Sequence, residues 1–373
     1  MPSLRVAVIG AGPAGIYTAE ALLAQQVVPV TVDLFDRLPT PFGLLRYGVA
    51  PDHLKVKQVA KRLQLVLDDP RVRFIGNVEC GRDVSADELR ERYHAVVYAF
   101  GAASDRKLGI PGEELPGSLS AREFVAWYSG YPDEAMASDA LAAPGAAVIG
   151  LGNVALDVAR VLARPVHELE HTDIPDDVLD ALRDSRITDI HLVGRGRPVA
   201  AKFTTKELRE FGEIDGLHVV VDPDDLVLTA EEDALVAADA TTARNLAVLR
   251  EWAERPAPAA PRRRLHWHFG ARPVELVGAE RVEALRLEHH IERPVTGGDD
   301  RPEELAVGLL LKAVGYLGIP MAGVPFVPER GVIPTESTRV LREGSVSLGE
   351  YAAGWISRRQ RVDIGDDGVG DRL

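Results

Sequence analysis

Arg5-Val-Ala-Val-Ile-Gly10-Ala-Gly12-Pro-Ala-Gly15 gives a short β-branched run, a glycine-rich turn and the start of a helix-like stretch, in that order. Val6, Val8 and Ile9 read as a short strand of the kind buried in parallel sheets. Gly10 permits a tight turn, and Gly12 leaves room for a pyrophosphate against the backbone. Gly15 lets the following helix, from about Pro13 to Ala24, sit close on the strand. Backbone N–H groups and the positive end of that helix then face the phosphates. The next strand, Val30-Thr-Val-Asp33-Leu-Phe-Asp36, ends in an acid 26 residues after Gly10. A carboxylate there accepts both hydroxyls of an adenosine ribose and repels a 2′-phosphate. The turn therefore suits FAD or NAD, and not NADP.

A second turn of the same kind follows in Ala147-Val-Ile-Gly150-Leu-Gly152-Asn-Val-Ala155. Gly150, Leu151, Gly152, Asn153 and Val154 form its turn, and Ala155 takes the third small position. Here the next strand, Ile187-Thr-Asp-Ile-His-Leu-Val-Gly194-Arg195, ends in a guanidinium, with Arg197 two residues on. Arginine at that strand end fits a 2′-phosphate, so this site reads as NADP. Gly150 and Arg195 stand 45 residues apart, against a usual spacing of about 20. The acidic, helix-like stretch from Pro165 to Ser185 accounts for the excess. A chain with both turns holds two dinucleotides at once, as moving a hydride between them requires.

The fold class that follows is α/β, with two Rossmann-like dinucleotide-binding domains, the second inserted into the first. Residues 1–104 and 320–373 form the first domain and 105–319 the second. Within the first, a helix is expected around Val56 to Leu67 and a strand from Val72 to Val78. Ala95-Val-Val-Tyr-Ala-Phe-Gly101 leads the chain out of it, and Leu309-Leu-Leu-Lys-Ala-Val-Gly315 leads the chain back. A strand-rich part runs from Leu265 to Leu287. The Pro/Ala run from Glu254 to Pro261 reads as a surface loop.

A net charge of −14 over 373 residues argues against general nucleic-acid binding and against adhesion to acidic membranes. Cys80 is the single cysteine. No intramolecular disulfide forms, disulfide-reducing chemistry lacks its redox pair, and cysteine-ligated metal sites are not expected. The N-terminus enters a strand at Arg5 with no leader pattern, and no apolar run approaches the roughly 18 residues of a membrane span. These readings place the protein in the cytoplasm, with no metal site.

Leu38-Pro-Thr-Pro-Phe-Gly43-Leu-Leu-Arg46-Tyr-Gly48-Val-Ala-Pro51-Asp52-His53 resembles the signature of the adrenodoxin reductase-type ferredoxin–NADP reductases. Val148-Ile-Gly-Leu-Gly-Asn-Val-Ala-Leu-Asp157-Val-Ala-Arg160 and Phe203-Thr-Thr-Lys-Glu207-Leu-Arg-Glu210 agree in order, and the similarity runs from residue 4 to about 357. The resemblance implies FAD on the first domain, touched by Ala14, Asp36, Leu44 and the backbone at Cys80, and covered by Trp355. It implies NADP on the second domain, held by Leu151 to Val154, Arg195 and Glu207. His53 and Glu210 match the family's polar pair near the nicotinamide and flavin. Read without the family, His53 is a loop histidine capping Asp52, Glu210 a solvated helix face and Trp355 a core residue.

The family carries two adjacent arginines where this chain reads Arg195-Gly196-Arg197, so the second is displaced by one residue. After Trp355 the family continues through a flavin-contacting glycine turn. This chain reads on from Ser357 to Leu373 in a polar, Gly/Asp-rich ending, in which Ile364-Gly365 is a remnant of that turn or chance. The C-terminal part of the FAD domain is accordingly expected to be incomplete.

The function the resemblance implies is electron transfer from NADPH through FAD to a ferredoxin-like iron–sulfur protein. The acidic chain would need a localised basic face, on its NADP domain, to dock such a partner. Two alternatives stand beside it: a FAD-deficient nucleotide-binding remnant, and another two-dinucleotide flavoprotein such as a glutamate synthase subunit. The lone cysteine and the Pro39–His53 loop count against the latter.

Overall fold

A computed structural model describes residues 3–134, 136, 138–289 and 303–357. Residues 358–373, and with them the Ile364-Gly365 reading, lie outside the described residues. The chain forms two units. One takes the chain up to Arg46, Lys55–Ser104 and the chain from Gly315. The other takes Tyr47–Leu54 and Asp105–Val314.

The first unit is built on a seven-stranded sheet in the order Thr335–Glu336, Arg339–Arg342, Ser345–Ala352, Ala95–Tyr98, Leu4–Ile9, Val30–Phe35, Val72–Ile75. The last five strands pair in parallel and the first two are antiparallel. Ala7, Val8 and Leu34 have no exposed surface, as strands covered on both faces require. Full burial of an aliphatic side chain such as Leu34 contributes about 1.5–3 kcal/mol. The helix Pro13–Ala24 begins with a proline, whose missing N–H costs nothing in the first turn.

In place of one helix from Val56 to Leu67 there are two, Leu54–Lys57 and Val59–Leu67. The strand from Val72 stops at Ile75. Gly76 follows it under the Leu38 carbonyl, which would lie 2.9 Å from a Cβ at that position.

The second unit has a six-stranded, all-parallel sheet in the order Ser118–Ser120, Leu309–Lys312, Gly145–Ile149, Asp189–Gly194, Arg263–Phe269, Leu217–Val220. A three-stranded antiparallel sheet, Ala271–Val277, Ala284–His289 and Glu303–Ala306, sets Leu285, Leu287 and Leu305 into one core with Ala147, Ile149 and Val193. The helix Asn153–Ala163 is buried along most of its length, packed among Phe203, Phe211, Trp252 and Trp267. The excess between the turn and Arg195 folds as two short helices, Val166–Leu169 and Asp176–Arg183.

Tyr47–Leu54 belongs to this unit although its neighbours in sequence belong to the other. Tyr47 meets Tyr131 edge to face at 5.1 Å, and Asp52 is bonded to arginines of the second unit, described below. Among the described residues no helix is long and apolar enough to cross a membrane.

Candidate functional site

In the first unit Gly10 has φ +107°, and a Cβ there would lie 2.6 Å from the Ala99 carbonyl oxygen. No other residue fits that turn. A Cβ on Gly15 would stand 1.9 Å from the Gly10 oxygen, so the helix reaches the strand only without one. Gly12 is different: a Cβ on it would meet only Gly43 Cα, at 3.9 Å. Gly12 thus borders open space, the cradle that a phosphate approaching the backbone requires.

Phe42 N–H donates to the Ala11 carbonyl at 2.8 Å, which lays the loop carrying Gly43 and the 40% exposed Leu44 beside the turn. Asp36 braces the same turn from the other side. Its Oδ2 accepts Ala11 N–H at 2.8 Å and its Oδ1 accepts Leu38 N–H at 2.9 Å. Burial raises the Asp36 pKa against these two bonds.

Cys80 lies near enough to feel that carboxylate. Burial first, then the charges of Asp36 and Asp83, push its thiol up to about 12, so the sulfur stays protonated and unreactive. Ala14 Cβ would be 2.7 Å from a Cβ on Gly354. The next residue, Trp355, stacks on Tyr316 at 5.9 Å and 23°. Gly10, Gly12, Ala14, Gly15, Asp36, Leu44, Cys80 and Trp355 thus all belong to one unit.

The second unit repeats the turn. Gly150 has φ +135°, and a Cβ on it would lie 2.5 Å from the Ala313 oxygen, whereas a Cβ on Gly152 would have nothing within 4 Å. Asn153 Oδ1 accepts Thr204 N–H at 2.9 Å, fixing the approach to the helix Thr205–Glu210. Leu151 lies on Gly194, where a Cβ would be 2.1 Å from its Cδ1, and Val154 packs against the main core. Past Gly194 the two arginines diverge. Arg195 is exposed. Arg197 is buried and paired with Glu232, Nε to Oε1 at 3.0 Å and Nη2 to Oε2 at 3.2 Å, and its Nη2 also donates to the Val227 carbonyl.

His53, Glu207 and Glu210 meet around a residue that the sequence reading did not single out. Arg160 is fully buried. Its Nε and Nη2 grip Asp52 at 2.7 and 3.0 Å, its Nη1 donates to Glu207 at 3.1 Å, and its Nη2 donates to Asp157 at 2.8 Å. Glu210 Oε2 is 3.3 Å from Nε. Arg164 Nε supplies Asp52 with a further bond at 2.9 Å. Burial acts to raise the Asp52 pKa, but the hydrogen bond and charge of Arg160, with His53 and Arg164, hold it near 2. Loss of hydration outweighs the nearby Arg160 at Asp157 and pushes its carboxyl up to about 6.

His53 Nε2 lies 3.2 Å from Glu210 Oε2, 3.3 Å from Glu207 Oε2 and 2.8 Å from Arg160 Nη2. A nitrogen accepting from Arg160 belongs to a neutral ring, whereas a protonated one donates to the glutamates. Burial favours the neutral ring, yet the hydrogen bonds of Glu207 and then Glu210 prevail and raise the pKa to about 10. His53, Glu207 and Glu210 also bring one potential metal ligand each within 4.8 Å of one another, but the Arg160 guanidinium already supplies the cation there.

A histidine whose folded pKa lies above its unfolded value stabilises fully below about pH 6.5, and the contribution disappears as pH rises through about 10. His53→Gln is therefore expected to lower the melting temperature at pH 7 and to match the parent protein near pH 10. Parallel melting curves over that range would refute the ion pair.

The signal for Arg160 was present in the chain: an arginine inside the apolar run Val158-Ala159-Arg160-Val161-Leu162, three residues after Asp157. A charge at an inward helix position demands partners, but its partners at 52, 207 and 210 are too distant in sequence to name from spacing.

Two glycine-turn units, one tipped by an acid and one by an arginine, define a two-dinucleotide oxidoreductase. The family profile of the Pyridine nucleotide-disulphide oxidoreductases matches residues 4–211, and the chain belongs to that family. It is 42% identical to NADPH-ferredoxin reductase FprA of Mycobacterium tuberculosis (strain ATCC 25618 / H37Rv) over 372 residues, 96% of this chain and 80% of that protein. It is 41% identical over 379 residues to the mitochondrial NADPH:adrenodoxin oxidoreductase of Arabidopsis thaliana, 95% of this chain and 77% of that one. The solved structure of M. tuberculosis FprA in complex with NADPH superposes with a TM-score of 0.87 at 41% identity, covering 95% of this chain and 79% of that one. These relatives are of the adrenodoxin reductase type that the Leu38–His53 loop resembles.

Proposed function

We propose that this chain is a FAD-dependent oxidoreductase that takes electrons from NADPH and delivers them to a ferredoxin-type iron–sulfur protein. The observation that carries the reading is the pair of open glycine cradles, Gly12 beside Asp36 and Gly152 ahead of Arg195. In it Gly10, Gly12, Ala14, Gly15, Asp36, Leu44 and the backbone at Cys80 hold FAD, with Trp355 over its flavin. Gly150, Leu151, Gly152, Asn153 and Val154 hold the NADP pyrophosphate, with Glu207 nearby. FAD, when bound, accepts a hydride from NADPH and releases the electrons singly, which a one-electron iron–sulfur acceptor needs.

The protein's own part is placement and charge. Asp36 accepts the adenosine ribose hydroxyls while its backbone bonds keep the turn in shape. His53 keeps a proton at Nε2 and donates it toward Glu210 and Glu207, carboxylates that Arg160 in turn holds in place. Arg197 is occupied by Glu232, so the 2′-phosphate falls to Arg195. The lone cysteine leaves the disulphide chemistry in the family's name without its pair, and a single thiol fits the reducing cytoplasm, the location we propose.

A preparation that carries flavin and reduces cytochrome c with NADPH only when ferredoxin is added would support this function. A colourless protein that takes up no FAD would refute it. Arg195→Ala tests coenzyme choice. Charge-assisted hydrogen bonds contribute about 1.5–3 kcal/mol, so the KM for NADPH is expected to rise about 10- to 100-fold while that for NADH stays nearly constant. Equal changes for both coenzymes would remove Arg195 from the 2′-phosphate site.

A further inference from the structure

The strands of the second unit present their carboxyl ends to the nucleotide turn, where ligands of open α/β sheets sit. At their amino ends is a separate cavity of about 440 Å³. It is reached where the helix Asn153–Ala163 ends and the strands Asp189–Gly194 and Arg263–Phe269 begin. At about 3.3 Å per strand residue, the full length of Asp189–Gly194 separates it from Arg195. Four arginines line it, Arg183, Arg186, Arg262 and Arg263, against one carboxylate, Glu170; Arg183 is paired with Glu170 at 3.3 Å and also with Asp180 outside the lining. In a protein of net charge −14, the lining residues themselves hold three more arginines than carboxylates.

Arg263 is the unusual member. It is 7% exposed, and among the described residues it has no ion-pair partner. Its Nη1 donates to the Arg164 carbonyl at 3.4 Å, a long bond for a guanidinium with five N–H groups. Burial, then the neighbouring charge of Arg262, pull its pKa down to about 10. Arg262 donates to the Ala163 carbonyl, with Glu168 and Asp215 in its neighbourhood. A guanidinium buried without a counter-charge is costly, and a bound anion supplies the missing charge. Two adjacent guanidiniums suit a phosphate better than a carboxylate, because they offer more donors than two oxygens can accept. The cavity is also larger than a bare oxyanion needs, and Val166, Leu182 and Ile187 give the remaining space an apolar wall.

We propose that this cavity is a binding site for a phosphate monoester, its oxygens on Arg263, Arg262 and Arg186 and its organic part against Val166, Leu182 and Ile187. The site is distinct from the nucleotide site and does not depend on the function proposed above.

Titration calorimetry with inorganic phosphate, glycerol 3-phosphate and sodium acetate, at constant ionic strength in chloride, tests it. Arg195→Ala is the reference protein, so the 2′-phosphate site does not contribute. Both phosphates should bind, glycerol 3-phosphate the more tightly, and acetate should not. Arg263→Met keeps the buried volume, removes the unpaired charge and should weaken phosphate binding at least tenfold with no loss of thermal stability. Should that variant fail to fold, the exposed pair Arg186→Ala and Arg262→Ala should produce the same loss. Absence of phosphate binding above the chloride background, acetate binding equally well, or unchanged affinity in these variants would overturn the proposal.

Discussion

Replacing Arg160 by methionine is expected to cost about 3–5 kcal/mol of stability. Methionine preserves most of the volume, so the loss isolates charge. Without the guanidinium, Asp52, Asp157, Glu207 and Glu210 lose the cation that all four of them contact. Arg164 remains for Asp52 alone. For a unit of this size the loss corresponds to a fall of roughly 6–20 °C in melting temperature.

The pH dependence gives the sign. In the parent protein Asp52 is held near pKa 2, so its share of stability is complete above about pH 4 and vanishes only as pH falls through 2. In Arg160→Met the carboxyls protonate more readily, and the penalty should shrink as pH is lowered from 8 to 5. Urea unfolding of the two proteins at several pH values measures this. A difference below about 1 kcal/mol, or one constant with pH, would show that the cluster is not held by Arg160.

Gly15→Ala is expected to reduce bound flavin about tenfold or more. Two effects compete. An alanine inside a helix is favoured over glycine by about 1 kcal/mol, which alone would stabilise. Against it, the new methyl would stand 1.9 Å from the Gly10 carbonyl oxygen and 3.1 Å from its carbon. Backbone atoms cannot step aside as a side chain can, so the helix must retreat from the turn. Overpacking of this kind costs about 1–3 kcal/mol or more, and even the lower end cancels the helical gain while displacing the N–H groups meant for the pyrophosphate.

The flavin-to-protein absorbance ratio after purification reads the result directly. Gly152→Ala is the informative contrast, because its methyl meets no atom within 4 Å. It should fold normally and lose only coenzyme affinity. If Gly15→Ala retained full flavin, the close helix–strand approach would not be what seats it.

How far the chain could be read in advance depended on the range of the contacts involved. The helix from Pro13 to Ala24 was legible to the residue, because Pro13 and the glycines before it are local signals. The strand pairs around Val8 and Val148 followed from β-branched runs that only a doubly covered sheet accommodates. Break points were less visible. The split after Lys57 and the stop at Ile75 arise from tertiary packing, as at Gly76 against Leu38.

In the site, His53 and Glu210 were suggested by likeness to a family, and the structure brings them to 3.2 Å of each other. Nothing between residues 53 and 210 predicts that meeting by spacing. The preoccupation of Arg197 with Glu232 was equally hidden, since that partner stands 35 positions later in the helix Ala230–Ala238. Burial of Arg263 could not be read from its run of three arginines, which looks solvent-bound.

The strand Ser345–Ala352 pairs in parallel with Ala95–Tyr98, so the first sheet waits for a partner made some 250 residues later. During synthesis, Tyr47–Leu54 emerges well before the arginines that hold it and spends that interval without them. The entropy of closing so long a loop grows only logarithmically, at about 0.6 kcal/mol per doubling, but the delay is real time on the ribosome. The inserted half can therefore become native first, with the unit that encloses it in sequence finishing last. Nascent chains halted before residue 345 should resist proteolysis across the segment from 105 to 289 while remaining open to cleavage near the amino terminus.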